Sequence, residues 1–276
     1  MNFKIIAVAA ALLATQSFAI IGIGAHYAPG FGTSMKAGPK APVANNISFS
    51  HEGFDEMMQG FGFKLWIDLL PIIDIEGTFN IQFGSYDASL YVTNPNGAEN
   101  EIPLEIELGG TPFAKANPKF VAMNGDLSIT YPITSLPVIR PYIGGGLTVF
   151  ANSFVLNQAY VKSLIDDPAL QTLITKAANG EIPEGADAAT IQQLQQQQAK
   201  DLQDAGEALK QRVQEKAAKE SIKTSIGGHA LVGFRLKLPI IPIAAYCNFK
   251  YYFGGDYPEE IDPGHMTLEV GGGLAI

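Results

Sequence analysis

The sequence predicts an all-β fold: an eight-stranded antiparallel transmembrane up-and-down β-barrel with a long helical extracellular loop insertion. Three observations predict it. Eight segments alternate apolar and polar side chains with a period of two, which is typical of β-strands. Three connections between these segments are tight, whereas the others are long. The polar faces carry glycine and balanced charge, which favours an enclosed lumen over a solvated surface.

The first nineteen residues have the pattern of a secretory signal peptide. Lys4 precedes the apolar run IIAVAAALLA, and Ser17 and Ala19 are small residues at the positions that a signal peptidase recognises. The run is too short to span a bilayer as a helix, and a buried N-terminal helix is the alternative. We expect cleavage of residues 1–19, a mature barrel of residues 20–276, and export to the bacterial outer membrane.

The composition limits the classes of protein to which the chain can belong. Only 16% of the residues are charged, yet no segment after the signal peptide holds 18 consecutive apolar residues, so transmembrane helices are not predicted. Cys247 is the single cysteine, which excludes an internal disulfide. An apolar-rich exported chain of this kind is either a compact secreted domain or a membrane β-barrel.

The eight alternating segments are grouped around three similar tetrapeptides. LPII occurs at residues 70–73 and 238–241, and LPVI occurs at 136–139. Each is flanked on both sides by a long alternating run, which predicts a hairpin with a tight apolar turn. The predicted strands are 20–27, 60–69, 73–83, 121–131, 139–149, 229–237, 243–253 and 265–276.

The connections differ on the two sides of the predicted barrel. The tight turns lie on one rim, and long loops at 28–58, 85–117, 152–225 and 254–264 lie on the other. Bacterial outer-membrane barrels have an even number of strands, short periplasmic turns and long extracellular loops. The short turns are therefore predicted to face the periplasm.

Side-chain chemistry indicates which face is inside. Aromatic residues lie on the apolar face near the long loops, as an interfacial girdle would: Tyr27, Phe61, Phe63, Phe83, Tyr251 and Phe253. A soluble lipocalin-like barrel, with its apolar face inside, is the alternative.

The polar face carries five acids and five bases: Asp68, Asp74, Glu76, Asp126 and Glu269 against Lys64, Arg140, Arg235, Lys237 and Lys250. Because buried charges require partners, we predict that these ten residues form an ion-pair cluster in the lumen.

The segment RPYIGGGLT at 140–148 resembles the R-P-Y-x-G-x-G strand of OmpA-like and OmpW-like outer-membrane β-barrel proteins. The resemblance covers the barrel but not the loops, and it implies an eight-stranded barrel with a signal peptide. Members of the group differ in function, so it implies no catalytic residues. Such barrels commonly end in an aromatic residue that is recognised during assembly, whereas this chain ends in Ile276.

The long loops contain predicted structure of their own. In the 152–225 loop, Asp167 and Pro168 begin a helix that ends before Gly180, and a second, Gln-rich helix extends over 187–221. A narrow apolar stripe predicts that the two pack as a helical hairpin over the barrel mouth. This hairpin would be either a surface for binding or adhesion, or a solvated lid that blocks the mouth or only fills space. In the second loop, NPNG at 94–97 predicts a β-hairpin above the membrane, and a ten-stranded barrel that includes residues 86–108 is the alternative. Acidic residues of the fourth loop indicate a solvated rim, although carboxylates also bind Ca²⁺.

Catalytic patterns are weak. The four histidines fit no metal-binding spacing, and no G-x-S-x-G motif occurs. His26 and His229 could lie near the outer rim beside Ser225, as a lipid hydrolase would require, but nothing in their spacing selects such a triad over polar filling of the lumen, which we favour. The net negative charge of the chain argues against nucleic-acid binding, and no cofactor or metal site is predicted.

These observations predict a non-enzymatic outer-membrane barrel with a plugged, ion-paired lumen. Its role would be structural or one of surface interaction. Its partners would be the outer-membrane lipid and an extracellular ligand bound by loop 152–225, and the chain would be a monomer. A channel or transporter for a small or hydrophobic ligand, gated by the same loop, is the alternative. An enzyme acting on lipid is a third hypothesis.

Overall fold

A computed structural model describes most of the chain. The described residues are 21–44, 46–68, 72–93, 97–104, 118–133, 138–154, 158–178, 187, 189–194, 196–197, 200–201, 204, 208, 212, 222–237 and 241–275. The predicted signal peptide, the centres of the three tight turns and Ile276 lie outside these residues.

Strands account for most of the described structure. They are β1 Ile21–Tyr27, β2 Gly30–Phe31, β3 Ser34–Met35, β4 Gly38–Ala44, β5 Ile47–His51, β6 Gln59–Ile67, β7 Asp74–Ser85, β8 Ala88–Thr93, β9 Glu99–Pro103, β10 Pro118–Pro132, β11 Ile139–Phe154, β12 Ile222–Lys237, β13 Ile243–Gly254, β14 Ile261–Asp262 and β15 Met266–Ala275. Two helices have both ends within the described residues, α1 Gln158–Ile165 and α2 Pro168–Ala178.

Eight of the strands form a closed antiparallel barrel. Their order is β1-β6-β7-β10-β11-β12-β13-β15, and β15 pairs with β1 to complete the ring. Consecutive barrel strands are neighbours throughout, which is the up-and-down topology. The eight-stranded barrel predicted from the alternation is confirmed.

The apolar faces of these strands point out of the barrel. Phe63 and Leu147 are 59% and 65% exposed, and Ile226 is 76% exposed. The neighbouring Lys64 and Thr148 are fully buried. The soluble-barrel alternative is therefore wrong, because such a barrel would enclose its apolar side chains.

A second sheet lies at the long-loop side of the barrel. Its order is β4-β5-β8-β9, so strands from the first and second long loops pair through β5 and β8. The hairpin predicted around NPNG is the β8–β9 pair. The ten-stranded alternative is wrong, because β8 and β9 pair within this sheet and not within the barrel. Strands β4 and β5 were not predicted, because they are short and β4 contains two prolines.

Helices complete the long-loop side. The predicted start of α2 is observed, with Asp167 accepting a hydrogen bond from the N–H of Ala169 at 2.8 Å. Helix α1 was not predicted. Positions 189–194, and the described positions beyond them as far as Arg212, are also helical, and the predicted end at 213–221 lies outside the described residues. None of the described helices has the length and hydropathy needed to cross a membrane.

Candidate functional site

The barrel lumen is filled by polar side chains that alternate with the exposed apolar ones. The inward positions of β7 read Asp74, Glu76, Thr78, Asn80 and Gln82, and all five are buried. Buried charges cost several kcal/mol each unless they are paired. Each buried charge in the lumen is therefore expected to have a partner of opposite charge, and the contacts identify it.

A first group, the basal cluster, lies at the short-turn end of the lumen. Arg235 is its centre, with Nη1 2.8 Å from Asp68 Oδ1 and Nη2 2.5 Å from Glu76 Oε1. Lys64 Nζ lies 2.5 Å from the second oxygen of Glu76. The guanidinium of Arg235 also lies over the ring of Trp66, 4.9 Å from the ring centroid. The basal cluster comprises Lys64, Asp68, Asp74, Glu76, Arg140, Arg235 and Lys237.

Two cations of the basal cluster lie nearest the rim. Arg140 Nη2 is 3.1 Å from Asp74 Oδ1, and its Nη1 is 3.5 Å from Asp68 Oδ2. Lys237 Nζ is 2.5 Å from the same oxygen of Asp68. Asp68 therefore contacts three cations, since Arg235 binds its other oxygen. Together with the pair of Arg140 and Asp74, this sharing joins the short-turn ends of β6, β7, β11 and β12.

A second group, the upper cluster, surrounds Lys250. Lys250 Nζ lies 2.7 Å from both Asp126 Oδ2 and Glu269 Oε1. The phenol of Tyr252 and the amide of Asn124 donate further hydrogen bonds to Asp126. The upper cluster comprises Asn124, Asp126, Lys250, Tyr252 and Glu269.

Hydrogen bonds join the two clusters into one lumen network. Lys64 Nζ donates to the hydroxyl of Tyr142 at 3.1 Å, and that hydroxyl donates to Asn248 Oδ1. The amide nitrogen of Asn248 then donates to Glu269 Oε2 at 2.9 Å. The chain of contacts thus runs from Asp68 at the rim to Tyr252 near the opposite end.

The structure places all ten sequence-predicted site residues in the lumen. Seven of them make up the basal cluster, and Asp126, Lys250 and Glu269 belong to the upper cluster. The side chains that connect the two clusters were not among the predicted site residues. They are neutral, and they could have been found from the same alternation, which puts Tyr142 and Asn248 on the polar face. Charge balance alone did not single them out.

Inward-facing glycines make room for these large side chains. A Cβ at Gly22 would lie 1.9 Å from the Trp66 ring, and one at Gly24 would lie 2.9 Å from Tyr246. At Gly62 a Cβ would meet the side chains of Asn80 and His26. By contrast, a Cβ at the outward-facing Gly77 would meet nothing within 4 Å. The narrow lumen therefore requires glycine where a bulky neighbour crosses it.

The histidines proposed for lipid hydrolysis belong to the lumen packing. His26 contacts the Tyr246 hydroxyl at 3.0 Å and Asn80 Oδ1 at 2.6 Å. His229 contacts other residues, so the two imidazoles do not share a site. The Ser225 hydroxyl instead accepts a hydrogen bond from the backbone N–H of Asp256.

His229 has a set of partners that resembles a hydrolytic triad in residue type. Its Nε2 lies 2.7 Å from Ser128 Oγ, and its Nδ1 lies 2.8 Å from Thr148 Oγ1, which donates to Asp126 at 2.9 Å. Ser128 and Thr148 are both fully buried. A nucleophile must reach its substrate, so we interpret this arrangement as packing.

The second sheet and the helices form a cap over the barrel mouth. Their apolar side chains build one hydrophobic core with residues at the top of the barrel, including Phe49, Leu90, Val161, Ile174 and, from β10, Phe120. Phe54 is stacked on both Tyr86 and Phe120 at 6.2 Å, and it occupies the space above Gly84. The cap is therefore packed onto the barrel wall.

Ion pairs and one small cavity complete the description of the cap. Lys176 of α2 lies 3.2 Å from Asp201, and Arg212 pairs with Asp167, so the helical segments contact each other as the predicted hairpin requires. Between the cap and the upper cluster is a cavity of about 20 Å³ beside Gln82, Asn124 and Phe150, room for about one water molecule. Among the described residues, no group of His, Cys, Asp and Glu is arranged to hold a metal ion.

Comparisons with known proteins give matches to solved structures only. No protein-family model and no curated protein matches the sequence. The attachment invasion locus protein Ail of Yersinia pestis aligns at 8% identity over 92% of this chain and 96% of its own, with a TM-score of 0.38. The outer membrane protein OprG from Pseudomonas aeruginosa aligns at 10% identity over 92% and 94%, with a TM-score of 0.39. Neisserial surface protein A aligns at 10% identity over 93% and 97%, with a TM-score of 0.39.

Proposed function

We propose that this chain is a non-enzymatic barrel of the bacterial outer membrane, with a plugged lumen and a structural or surface-interaction role. The observation that carries the proposal is the inversion of the barrel. Outward side chains are apolar and about half exposed, and the fully buried ones include Lys64, Arg235 and Glu269. A bilayer is the solvent that favours this arrangement. The short turns would then face the periplasm and the cap would face outside.

The resemblance of the strand at 140–148 to OmpA-like and OmpW-like proteins supports the same placement. Residues 1–19 would be the export signal. We propose outer-membrane lipid as the partner of the barrel wall, an extracellular ligand or surface as the partner of the cap, and a monomeric state. The apolar side chains of the cap pack in one hydrophobic core that also includes Phe120 of the barrel.

Location is tested by fractionating the cell envelope and comparing gel mobility before and after heating. The proposal predicts a protein in the outer-membrane fraction whose mobility changes on heating, because a closed barrel resists detergent until it is heated. A protein found in the periplasm would contradict it.

Closure of the lumen is tested in planar bilayers. The lumen network contains three fully buried cations held at 2.5–2.7 Å from carboxylates, which predicts no steady conductance. A steady conductance that responds to a small or hydrophobic ligand would instead support the channel alternative. Breaking the network with Lys250→Met provides a matched variant for that recording.

The surface-interaction role is tested by cutting the cap on living cells. A site-specific protease sequence is inserted between residues 179 and 187, and intact cells are treated with the protease or left untreated. Cell–cell sedimentation and retention on protein-coated and hydrocarbon-coated surfaces are then measured. The proposal predicts reduced adhesion after cutting, whereas unchanged adhesion would leave only the structural role. Cells of the parent strain treated with the same protease are the control.

A further inference from the structure

Two buried histidines lie beside the upper cluster. His26 of β1 and His229 of β12 are 5% and 2% exposed. His26 Nε2 is 4.0 Å from Glu269 Oε1, and His229 Nδ1 is 3.9 Å from Asp126 Oδ1. Lys250 already binds both carboxylates at 2.7 Å. One ammonium and two imidazoles therefore lie around the same two carboxylates.

The hydrogen bonds of Asn80 fix the position of the proton on neutral His26. Asn80 Nδ2 is 2.9 Å from Glu269 Oε1, and Asn80 Oδ1 is 2.6 Å from His26 Nε2. A carboxylate only accepts hydrogen bonds, so Asn80 must direct its NH2 group to Glu269 and its oxygen to His26. His26 Nε2 therefore carries the proton, and His26 Nδ1 accepts a hydrogen bond from the Tyr246 hydroxyl at 3.0 Å.

Thr148 fixes the opposite tautomer on neutral His229. The single hydroxyl hydrogen of Thr148 is donated to Asp126 Oδ1 at 2.9 Å. Thr148 Oγ1 can therefore only accept from His229 Nδ1, which lies 2.8 Å away. His229 Nδ1 carries the proton, and His229 Nε2 accepts a hydrogen bond from the Ser128 hydroxyl at 2.7 Å.

A second proton on either ring removes one of these hydrogen bonds. A charged imidazole donates from both nitrogens, so Tyr246 could no longer donate to His26, nor Ser128 to His229. Both hydroxyl side chains are buried, and no other acceptor is hydrogen-bonded to them among the described residues. A buried donor without an acceptor is costly. The neutral rings are therefore the ones that fit the closed lumen.

Charged rings would also compete for the carboxylates of the upper cluster. The carboxylate oxygen nearest His26, Glu269 Oε1, is the one that Lys250 binds. An imidazolium drawn toward Glu269 or Asp126 would therefore weaken the contact of that carboxylate with Lys250. The charged or titratable groups around His26 are Glu269, Lys250, Lys64 and Tyr246, and those around His229 are Asp126, Glu269, Glu76, Lys250 and Tyr252.

We propose that His26 and His229 form an acid-sensitive switch on the plugged lumen. At neutral pH the two neutral rings complete the hydrogen bonds of the closed state. In acid the charged rings lose the Tyr246 and Ser128 donors, compete with Lys250, and open the upper half of the lumen. The inference rests on the proposed function and extends it, from a lumen that is closed to one whose closure depends on pH.

The switch is tested by recording the full chain in planar bilayers at about pH 8 and about pH 5, the limits between which histidine changes charge. We expect a closed lumen at the higher pH and about tenfold more frequent openings at the lower pH, the scale of effect that follows when a buried donor loses its acceptor. An unaltered chain that stays closed at both pH values would overturn the switch and leave the plugged lumen intact. Steady conductance at the higher pH would refute the plugged lumen, and the switch with it.

Matched amide variants follow from the two tautomers. Glutamine places its amide nitrogen near the position of histidine Nε2, and asparagine places its own near that of Nδ1. His26→Gln combined with His229→Asn should therefore keep the donors to Asn80 and Thr148 without a group that can become charged. We expect this double variant to stay closed at both pH values. If it opens in acid as often as the unaltered chain, the two histidines are not the switch.

A control variant and a direct observation of the protons complete the test. His265 is exposed, and His265→Gln should leave the response to acid unchanged; loss of the response in this variant would contradict the assignment to His26 and His229. Nuclear magnetic resonance of isotope-labelled histidine in the unaltered chain should show, at the higher pH, the proton of His26 on Nε2 and that of His229 on Nδ1. The reverse tautomers would contradict the proposal.

Discussion

Lys250 Nζ lies 2.7 Å from Glu269 Oε1, and neither side chain is exposed to solvent. The same ammonium lies 2.7 Å from Asp126 Oδ2. A single cation thus bridges two buried carboxylates in the upper half of the barrel. Such a pair is stable only while it is complete, because the desolvated charge that remains after removal of its partner has no water to solvate it.

Removing Lys250 should therefore destabilise the barrel strongly. We expect Lys250→Met to lower the free energy of unfolding by about 3–5 kcal/mol. Urea unfolding in lipid vesicles measures this through the fluorescence of Trp66, the only tryptophan of the chain. The exposed Lys223 gives the matched control, and Lys223→Met should change the free energy of unfolding by no more than about 0.5 kcal/mol. Equal effects of the two substitutions would contradict a paired lumen.

Glycine substitutions should have opposite consequences on the two faces of the barrel wall. Gly22→Ala places a Cβ 1.9 Å from the ring of Trp66, and overpacking of this kind costs about 1–3 kcal/mol. Gly77→Ala places a Cβ in open space on the outward face and should be neutral or slightly stabilising. The same urea titration checks both. A larger loss for Gly77→Ala than for Gly22→Ala would mean that the faces are wrongly assigned.

The cap should loosen when its contact with the barrel is removed. Phe54→Ala deletes the ring that stacks on Tyr86 and Phe120, a truncation that costs about 3–5 kcal/mol in a well-packed core. We expect faster hydrogen exchange in β5 and β8, with little change in β12 and β13. Exchange measured by mass spectrometry on the folded protein distinguishes the regions. Acceleration throughout the barrel would show that the cap and barrel unfold as one unit.

The stability of the helical segment of the cap should depend on pH. Hydrogen bonds from Thr190 lower the pKa of Asp187 below its usual 3.8, and a hydrogen bond from Gln197 lowers that of Asp201. A carboxyl with a depressed pKa stabilises the folded state above pH 3.8, and this contribution is lost as the pH falls through the lower, folded-state pKa.

Circular dichroism should accordingly show a loss of helix below about pH 3.8 in the unaltered protein. Asp187→Asn retains a side chain that caps helices well but does not titrate. Its helix signal should respond less steeply to acid. The same steepness in both proteins would show that the helix-capping hydrogen bond of Asp187 does not control the loss of helix in acid.

The alternation in the sequence predicted the barrel well because burial has the same period in a membrane barrel as in a soluble one. For example, the predicted strand 243–253 corresponds to β13, Ile243–Gly254. The alternation does not say whether the apolar face points inward or outward. The glycines and the balanced charge of the polar face indicated that the polar face is inside. Inward-facing Gly22 and Gly24 lie against Trp66 and Tyr246, which is the crowding that the glycine pattern indicated.

Two features could not be read from the sequence. The partners of each charge depend on the stagger of strands around the barrel, so the set of ten residues was visible but the contact of Lys64 with Glu76 was not. The β8–β9 half of the second sheet was predicted, but β4, β5 and the pairing of β5 with β8, which joins two different loops, were not. Strands β4 and β5 pair with each other as a hairpin, but Pro39 and Pro42 interrupt the alternation within β4, and α1 is short at eight residues.

The most direct test of the inverted barrel is the accessibility of spin labels to oxygen and to a water-soluble nickel complex. Cys247 is first replaced by alanine, and single labels are placed at Ile143 and Leu147 on the outward face and at Gln193 in the cap. The account predicts that oxygen relaxes the two barrel labels more strongly than nickel, with the reverse at Gln193. Stronger relaxation by nickel at Ile143 and Leu147 would show that water, not lipid, surrounds the apolar face, and would contradict the account.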